Sequence, residues 1–182
     1  INFRDHIQKI LSEFLDRNWA NEIVIASGLK QKEEIWNMRE SIPLANSRIG
    51  SLFSNDISLP LRSIPKFIQE ADKRLLSISK EIIVNCFGHI GDGNIHYNVF
   101  PNARESMKRL EKNRPIMIKT VNDLVNEFSG SISAEHGVGR SKSKELERYE
   151  DPGKLNVMKV IKSAIDPKGI LNPGVIFSKD NL

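Results

Sequence analysis

The sequence predicts an α+β fold, in which a mainly antiparallel sheet is covered by helices on one face. Two strand-like runs, at 81–87 and 94–100, flank the glycine-rich stretch GHIGDG and therefore predict a hairpin. Amphipathic helical segments precede and follow this hairpin, so that it is embedded among helical crossovers. The nucleotide-binding patterns GxGxxG and GxxxxGK[ST] are absent from the sequence, which argues against a doubly wound parallel sheet.

The remaining elements follow from periodicity along the chain. Apolar residues at helical spacing predict helices at 4–17, 30–42, 63–78 and 152–165, together with a long helical region that Pro115 begins or kinks. Short apolar runs bounded by turn residues predict further strands at 22–26 and 55–60, and a short strand that runs into a glycine loop at 131–139. Ser63 is expected to cap the third helix, and the segment DPKGILNPG is expected to form rigid, exposed turns at the end of the chain.

The composition is that of one globular domain, residues 1–182. Hydrophobic residues make up 39% of the chain and charged residues 27%, which is ordinary for a soluble protein. No run approaches the roughly 18 apolar residues that a membrane-spanning helix requires. The chain begins with Ile1 rather than Met, so we expect a fragment of a longer protein, located in the cytoplasm or attached peripherally at the inner membrane.

Charge and cysteine content exclude several classes of function. The net charge of +4 is spread among acidic residues, and no basic stripe interleaved with aromatic residues predicts a nucleic-acid partner. A modest positive field suits a small anionic substrate instead. Cys86 is the only cysteine, so neither an internal disulfide nor a thiolate cluster is available, and its apolar surroundings predict a buried, unreactive thiol.

The nine residues GHIGDGNIH, 88–96, carry two of the four histidines. A hairpin would bring His89 and His96 together across its open end, and Asn98 would project from the same face of the strand as His96. Imidazole is a common ligand of Zn²⁺ and similar ions, whereas Asp92 is better placed to bind the backbone of the turn. The alternative is a glycine-rich hairpin whose histidines are ordinary hydrogen-bonded polar residues.

The stretch SAEHGVG adds an adjacent acid and histidine, Glu135 and His136. A glutamate beside the two hairpin histidines would complete a His₂Glu set, the pattern of a catalytic divalent-metal site with an open position. Neighbouring side chains on an extended chain point apart, so one of the pair would bind metal while the other acts as acid or base. The alternative is an ordinary surface loop.

Arg39, in WNMRESIP, follows a predicted helical turn and is capable of bidentate pairing with a carboxylate. From the spacing alone, a plain surface salt bridge with Glu40 or another acid is the favoured interpretation. The final DPKGILNPG turn has a similarly plain alternative, a C-terminal cap.

Taken in order and at their separations, the stretches GHIGDGNIHYNVF, SAEHGVG and DPKGILNPG resemble the C-terminal domain of the FAD-linked oxidases. WNMRESIP and NDISLP match the same family, which includes D-2-hydroxyglutarate dehydrogenase, D-lactate dehydrogenase and the glycolate oxidase flavoprotein subunit. The resemblance covers roughly residues 35–177. It implies the ferredoxin-like substrate, or cap, domain of a flavoprotein of the vanillyl-alcohol-oxidase type, with FAD held mainly by a separate N-terminal domain.

The resemblance also implies roles for individual residues. His89, His96 and Glu135 occupy the positions that bind a divalent metal, Zn²⁺ in metal-dependent members, and His136 occupies that of the catalytic base. Asn98 and Arg39 match residues that bind the substrate. The motif that contains Asn172 is expected to lie near the flavin. The implied reaction oxidises a D-2-hydroxy acid to a 2-oxo acid by hydride transfer to FAD, and the electrons pass on to a quinone or an electron-transfer protein.

Two positions depart from the family pattern. Ser54 stands where many members carry a lysine that aids carboxylate binding, and Pro43 stands where some carry a threonine. Both changes remove contacts to an acidic substrate, so the substrate differs from 2-hydroxyglutarate or another cation, such as Arg48 or Lys142, takes over. Two other functions fit the motifs alone: a metal-dependent hydrolase that uses the same His₂Glu set, and a non-catalytic interaction module.

Overall fold

The computed structural model of the protein describes residues 2–89 and 91–178. The chain divides into two compact units, Ile1–Arg48 and Ile49–Leu182, and each is described by itself. Among the described residues, none of the helices combines the length and the apolar character needed to span a bilayer.

The first unit is helical. It contains α1 at Phe3–Asp16 and α2 at Leu29–Glu40, as predicted, and most of α3 at Ile42–Ile49, which the sequence analysis did not predict. The Asn2 side chain caps α1 by accepting a hydrogen bond from the Arg4 backbone N–H at 3.1 Å.

The strand predicted at 22–26 is wrong. The segment forms no ladder with any described strand, and its apolar residues Val24 and Ile25 remain 61% and 44% exposed. A run of β-branched residues becomes a strand only where a neighbouring strand accepts its backbone hydrogen bonds and buries one of its faces, and this segment has neither.

The second unit is built on a three-stranded antiparallel sheet. Its strands are β1 at Phe53–Ser58, β2 at Ile82–His89 and β3 at Asn94–Pro101, arranged in the order β1-β3-β2. The predicted hairpin is therefore confirmed as β2–β3. The strand predicted at 55–60 is confirmed as β1, which lies two residues earlier and ends before Pro60.

Helices cover one face of this sheet, as predicted. Helix α4 at Ile64–Ile78 packs on β2, and α6 at Arg114–Glu127 packs on β1 and on α4, with the short α5 at Met107–Leu110 before it. Ser63 is the N-cap residue of α4, but its side chain makes no capping hydrogen bond. Two aromatic rings mark the centre of the core, Phe67 and Tyr97, which are fully buried in edge-to-face contact at 6.0 Å.

The order β1–α4–β2–β3–α6 follows the first five elements of a β-α-β-β-α-β fold. The sixth, the strand predicted at 131–139, is reduced to a single antiparallel bridge between Ser131 and Ser58 on the outer edge of β1. Beyond this bridge the backbone N–H groups of Glu135 and His136 bind the Asp56 side chain instead of a strand backbone. The predicted short strand is therefore only one bridge long before the predicted glycine loop. The Ala134 N–H still donates to Asp56 O at 3.3 Å, but the carboxylate takes the next two N–H groups.

The chain ends with α7 at Ser143–Tyr149, which was not predicted, and α8 at Pro152–Ile165, which was predicted with the same bounds. The following DPKGILNPG segment forms turns, as expected. It returns to the loop between Ser131 and α7: the Ile176 N–H donates to Gly139 O at 2.9 Å, and Arg140 Nε donates to Pro173 O at 3.3 Å.

Candidate functional site

The sheet face opposite the helices carries polar side chains toward the β2–β3 connection, and we call this region the polar face. Antiparallel register places Asp56 of β1 opposite His96 of β3, and places Asn94 of β3 opposite His89 of β2. Paired residues share a face, as do alternate residues along a strand, so these side chains and Asn98 project from the same side. The sequence prediction that His96 and Asn98 share a face is confirmed.

The β2–β3 connection is shaped by glycine. Gly93 has a φ of +78°, and a Cβ atom there would lie 2.1 Å from Leu59 O, so this position excludes any other residue without movement of the backbone. Asp92 accepts a hydrogen bond from the Asn94 backbone N–H at 3.0 Å, which confirms its predicted role in the turn. The turn thus fixes how β2 and β3 bring their histidines together.

Glu135 and His136 are carried over the polar face by the loop after Ser131. Glu135 reaches both hairpin histidines: its Oε1 lies 2.6 Å from His89 Nδ1 and its Oε2 lies 3.8 Å from His96 Nε2. The His96 ring is 6.3 Å from the His89 ring and 5.9 Å from the His136 ring, measured between centroids. The three histidines and the glutamate that the sequence singled out therefore converge.

The donor types of this cluster fit a divalent metal, since two imidazoles and a carboxylate form the set that zinc enzymes use. The described residues nevertheless include no group of three or more such side chains in an arrangement that would hold an ion. His89 Nδ1 instead lies 2.6 Å from Glu135 Oε1, so two of the three side chains are paired with each other.

Asp56 lies beneath the cluster, and only 5% of its side chain is exposed. Its Oδ2 accepts the backbone N–H groups of Glu135 and His136, both at 2.8 Å, and its Oδ1 accepts Asn94 Nδ2 at 2.8 Å. Burial raises the pKa of Asp56, but the hydrogen bonds from His136, Asn94 and Glu135 outweigh it, so the pKa lies below its ordinary value. The carboxylate is ionised at neutral pH.

Lys142 ties the same loop to the sheet. Its ammonium donates to Ile132 O at 2.8 Å and to Asp56 O at 3.4 Å. Burial lowers the pKa of Lys142, while Asp56 and Glu145 oppose the shift. Because its donors are engaged by backbone carbonyls, Lys142 serves the loop and is a poor replacement for a substrate-binding cation.

The other predicted residues have varied placements. Arg39 lies in α2 of the first unit, where its Nη1 is 2.8 Å from Glu40 Oε1 and forms the salt bridge considered as the alternative. Asn98 is buried, and its Nδ2 donates to Asn85 O and to His96 O. Asn172 occupies an exposed turn with a φ of +47°. The functional roles predicted for these three residues stay predictions.

Cys86 has the expected character. It is partly buried and packs against the core, and burial, with a smaller contribution from the nearby negative charge of Asp72, raises the pKa of its thiol to about 11. The thiol is therefore protonated at neutral pH and a weak nucleophile.

Sequence reasoning missed Asp56 and Asn94, although both stand in predicted strands. A carboxylate inside a strand that otherwise alternates with core residues is itself a signal, since a buried charge is retained only where it is hydrogen-bonded or paired. The partners of Asp56 at Glu135 and His136 are 79 and 80 residues away, and no local pattern reveals them.

Comparison with known proteins agrees with the earlier resemblance. The family of FAD linked oxidases, C-terminal domain, matches residues 3–176. A D-2-hydroxyglutarate dehydrogenase of Stutzerimonas stutzeri is 35% identical over 165 residues, which is 90% of this chain and 35% of that protein. The mitochondrial D-2-hydroxyglutarate dehydrogenase of Arabidopsis thaliana is 33% identical over 172 residues, 94% of this chain and 29% of that protein.

A third relative, the D-2-hydroxyglutarate–pyruvate transhydrogenase of Saccharomyces cerevisiae, is 31% identical over 176 residues, 93% of this chain and 34% of that protein. The chain thus spans about a third of the length of the curated relatives that it matches. With a family match over nearly all of its residues, the chain belongs to the FAD-linked oxidases, as a member of their C-terminal domain family.

Proposed function

We propose that this chain is the substrate domain of an FAD-dependent dehydrogenase that oxidises a D-2-hydroxy acid to the corresponding 2-oxo acid. The convergence of His89, His96, Glu135 and His136 on the polar face carries the proposal. It places a potential metal-binding set next to a further histidine, and four such residues from three separate segments have no common structural reason to meet.

His89, His96 and Glu135 are proposed to hold a divalent ion, with Zn²⁺ as the ion that suits two imidazoles and a carboxylate. When bound, the metal would lower the pKa of the substrate hydroxyl and FAD would accept the hydride from Cα. The side chain of Glu135, 40% exposed, and that of His89, 42% exposed, are accessible enough for a small substrate to approach them.

His136 is proposed to take the proton of the substrate hydroxyl. Its side chain is 70% exposed, and its Nδ1 lies 3.5 Å from Asp56 Oδ2. A carboxylate on the Nδ1 side favours the tautomer with its proton on that nitrogen, which leaves Nε2 as the basic atom and stabilises the imidazolium that forms. Arg39 is proposed to hold the substrate carboxylate and Asn98 to contribute a polar contact, so that Cα is oriented for reaction.

The number of carboxylates on the substrate depends on whether another cation replaces the lysine that many family members carry at the position of Ser54. Ser54 is exposed on β1, directly opposite Asn98, and its hydroxyl donates to Ser51 Oγ at 3.3 Å. Lys142 is engaged with Ile132 O and Asp56 O. We therefore propose a substrate that carries one carboxylate, rather than the two of the 2-hydroxyglutarate named for the relatives. Arg48 is the other cation considered as a replacement, and a dicarboxylate activity lost in Arg48→Ala would assign it that role.

We propose that residues 1–182 act as one substrate domain of a longer flavoprotein, which provides the FAD-binding domain. The contacts of Gly139 with Ile176 and of Arg140 with Pro173 support a place for Asn172 near the flavin, because they hold this tail against the loop that carries His136. The electron acceptor is proposed to be a quinone or an electron-transfer protein.

The decisive experiment assays the whole protein with D- and L-2-hydroxy acids bearing one or two carboxylates, and follows flavin bleaching and reduction of an artificial acceptor. We expect oxidation of a D-monocarboxylate, together with loss of activity and of bound metal in a His89→Ala/His96→Ala variant. Unchanged metal content in that variant would remove the metal site. Hydrolysis without flavin reduction would favour the hydrolase, and a protein inert toward all of these acids would favour an interaction module.

A further inference from the structure

Asp56 contacts several residues of the candidate site at once. Its carboxylate is buried on β1, where it accepts two backbone N–H groups of the loop and the amide of Asn94. Buried carboxylates cost free energy unless they are fully hydrogen-bonded, and the same loop could have been anchored by a backbone ladder. The placement of a charge here calls for a reason beyond folding.

Two consecutive N–H groups bound to one oxygen fix the backbone of Glu135 and His136. Because successive side chains diverge, this anchoring sends the carboxylate of Glu135 toward His89 and His96 while the ring of His136 stays beside Asp56. The directions of the Glu135 and His136 side chains thus depend on where Asp56 binds the backbone.

The carboxylate also faces two imidazoles at the same ring position. His96 Nδ1 lies 3.9 Å from its Oδ1 and His136 Nδ1 lies 3.5 Å from its Oδ2. At these separations the action is electrostatic rather than a hydrogen bond. A negative charge on the Nδ1 side of His136 favours the proton there, so Nε2 keeps its lone pair. His96 lies between two carboxylates, because its Nε2 is 3.8 Å from Glu135 Oε2, and the charge of Asp56 therefore does not by itself select the His96 tautomer.

We propose that Asp56 is a positioning residue that sets both the path of the Glu135–His136 backbone and the Nδ1–H tautomer of His136. This proposal rests on the proposed function only for its consequence in catalysis, since the tautomer exists whether or not a substrate is turned over. Outer carboxylates that orient metal-binding histidines typically change affinity or activity by about 10- to 100-fold when removed.

Two variants separate the charge from the hydrogen bonds. Asp56→Asn keeps the shape of the side chain and removes its charge, but turns an amide toward the Asn94 amide. The double variant Asp56→Asn/Asn94→Asp exchanges the two groups, so an acceptor faces the loop N–H groups and a donor–acceptor pair links positions 56 and 94. In the double variant the negative charge lies at position 94, two residues before His96 on β3 and opposite His89.

The measurement is the tautomer state of the histidines by ¹⁵N NMR of the whole protein above the histidine titration range, with signals assigned by His96→Gln and His136→Gln. Wild-type protein should show Nδ1–H at His136. Asp56→Asn should shift this ring toward Nε2–H and lower kcat by about 10- to 100-fold with KM changed little. The exchanged variant should recover thermal stability without recovering the tautomer or kcat.

Three results would overturn the proposal: an Nε2–H ring at His136 in the wild type, an unaltered His136 tautomer in Asp56→Asn, or full recovery of kcat in the exchanged variant. The wild-type spectrum decides even if neither variant folds. Asp166→Asn is the matched control, because that buried carboxylate also accepts two consecutive backbone N–H groups. It should leave the histidine tautomers unchanged. A protein with the expected tautomer that oxidises no hydroxy acid would refute the proposed function alone.

Discussion

Strand β3 is buried on both faces, and the two faces have opposite chemistry. Toward α4 and α6 it presents Ile95, Tyr97 and Val99, which are at most 3% exposed. On the polar face it presents Asn94, His96 and Asn98, of which the two asparagines are 5% and 6% exposed. The same six residues thus serve a core and a site, separated only by the alternation of a strand.

The difference between the faces is how each is stabilised. The apolar face gains free energy in proportion to the area removed from water, whatever the detailed contacts. The polar face loses free energy on burial unless each group finds a partner, and Asp56 recovers that loss by accepting three hydrogen bonds. Substitutions on the first face should therefore change stability, and substitutions around the second should change chemistry.

The largest effect is expected at His136. Replacing it with Asn removes the proposed base but keeps a polar group on an exposed loop, so kcat should fall by about 10²- to 10⁴-fold while the melting temperature changes little. Steady-state kinetics and thermal denaturation of the same preparation measure both quantities. His6→Asn, in exposed helix α1, is the matched control and should alter neither. A loss below threefold in His136→Asn would remove it from the mechanism.

On the opposite face, Ile95→Ala should lower the free energy of unfolding by about 2–5 kcal/mol, because it leaves a cavity between the sheet and its helices. The kcat of the protein that remains folded should change by less than threefold. Both tryptophans, Trp19 and Trp36, lie in the first unit, so hydrogen exchange of β3 amides is the appropriate probe.

Ile83→Ala provides the control for Ile95→Ala, since Ile83 is 54% exposed on β2. Its cost should stay below about 1 kcal/mol, because little apolar area returns to water. Equal losses at the two positions would contradict the assignment of the two faces.

The two faces also differ in how far the sequence predicted them. The hairpin β2–β3 was predicted from the alternation in NIHYNVF and the glycines before it, and so was the shared face of His96 and Asn98. Both features depend on neighbours within a few residues. The approach of Glu135 to the hairpin histidines was predicted from residue types and from the resemblance of the motifs, not from periodicity. Asp56 was missed, since its partners at Glu135 and His136 come from a distant part of the chain.

The strand predicted at 22–26 is absent and the short strand predicted at the start of 131–139 is reduced to one bridge, and the two outcomes have a common cause. A strand is defined by pairing, and sequence propensity carries no information on whether an edge is available. At 131–139 an edge of β1 exists, but Asp56 takes the backbone donors after one bridge. In the 131–139 segment, hydrogen bonds of the candidate site therefore outweigh the local preference for a strand.

A substitution on the polar face should change the substrate specificity. Ser54→Lys places a cation on β1 opposite Asn98, and a charge-assisted hydrogen bond to a second carboxylate contributes about 1.5–3 kcal/mol. The ratio of kcat/KM for a dicarboxylate to that for a monocarboxylate should rise by roughly 10- to 100-fold. Ser54→Met, of similar length but uncharged, is the control and should not raise it. An unchanged ratio in Ser54→Lys would place the distal end of the substrate elsewhere.

The turn that joins β2 to β3 affects both faces at once. Gly93→Ala requires a left-handed backbone and movement of Leu59 O, so it should cost more than about 1 kcal/mol and also weaken metal binding by displacing His89 from His96. Gly91→Ala, in the same connection, has no atom within 4 Å of the added Cβ and no positive φ, so it should cost almost nothing. Chemical denaturation and metal titration of both variants test this, and equal costs would contradict it.

The smallest effect is expected at Asp166, a carboxylate bonded like Asp56 but remote from the polar face. Lys162 Nζ donates to it at 2.6 Å, and the N–H groups of Leu171 and Ile170 donate at 2.9 and 3.0 Å. The Lys162 hydrogen bond lowers the pKa of Asp166, burial opposes this, and the two backbone hydrogen bonds lower it further.

Because the folded-state pKa of Asp166 is depressed, its stabilising contribution is complete above about pH 4 and is lost as the pH falls through the folded value. Unfolding free energies of wild type and Asp166→Asn should therefore differ at neutral pH and converge in acid. A difference independent of pH would show that the charge contributes nothing. If Asp166→Asn changes only this stability profile while Asp56→Asn changes the histidines, two similarly bonded carboxylates differ because only one of them faces imidazoles.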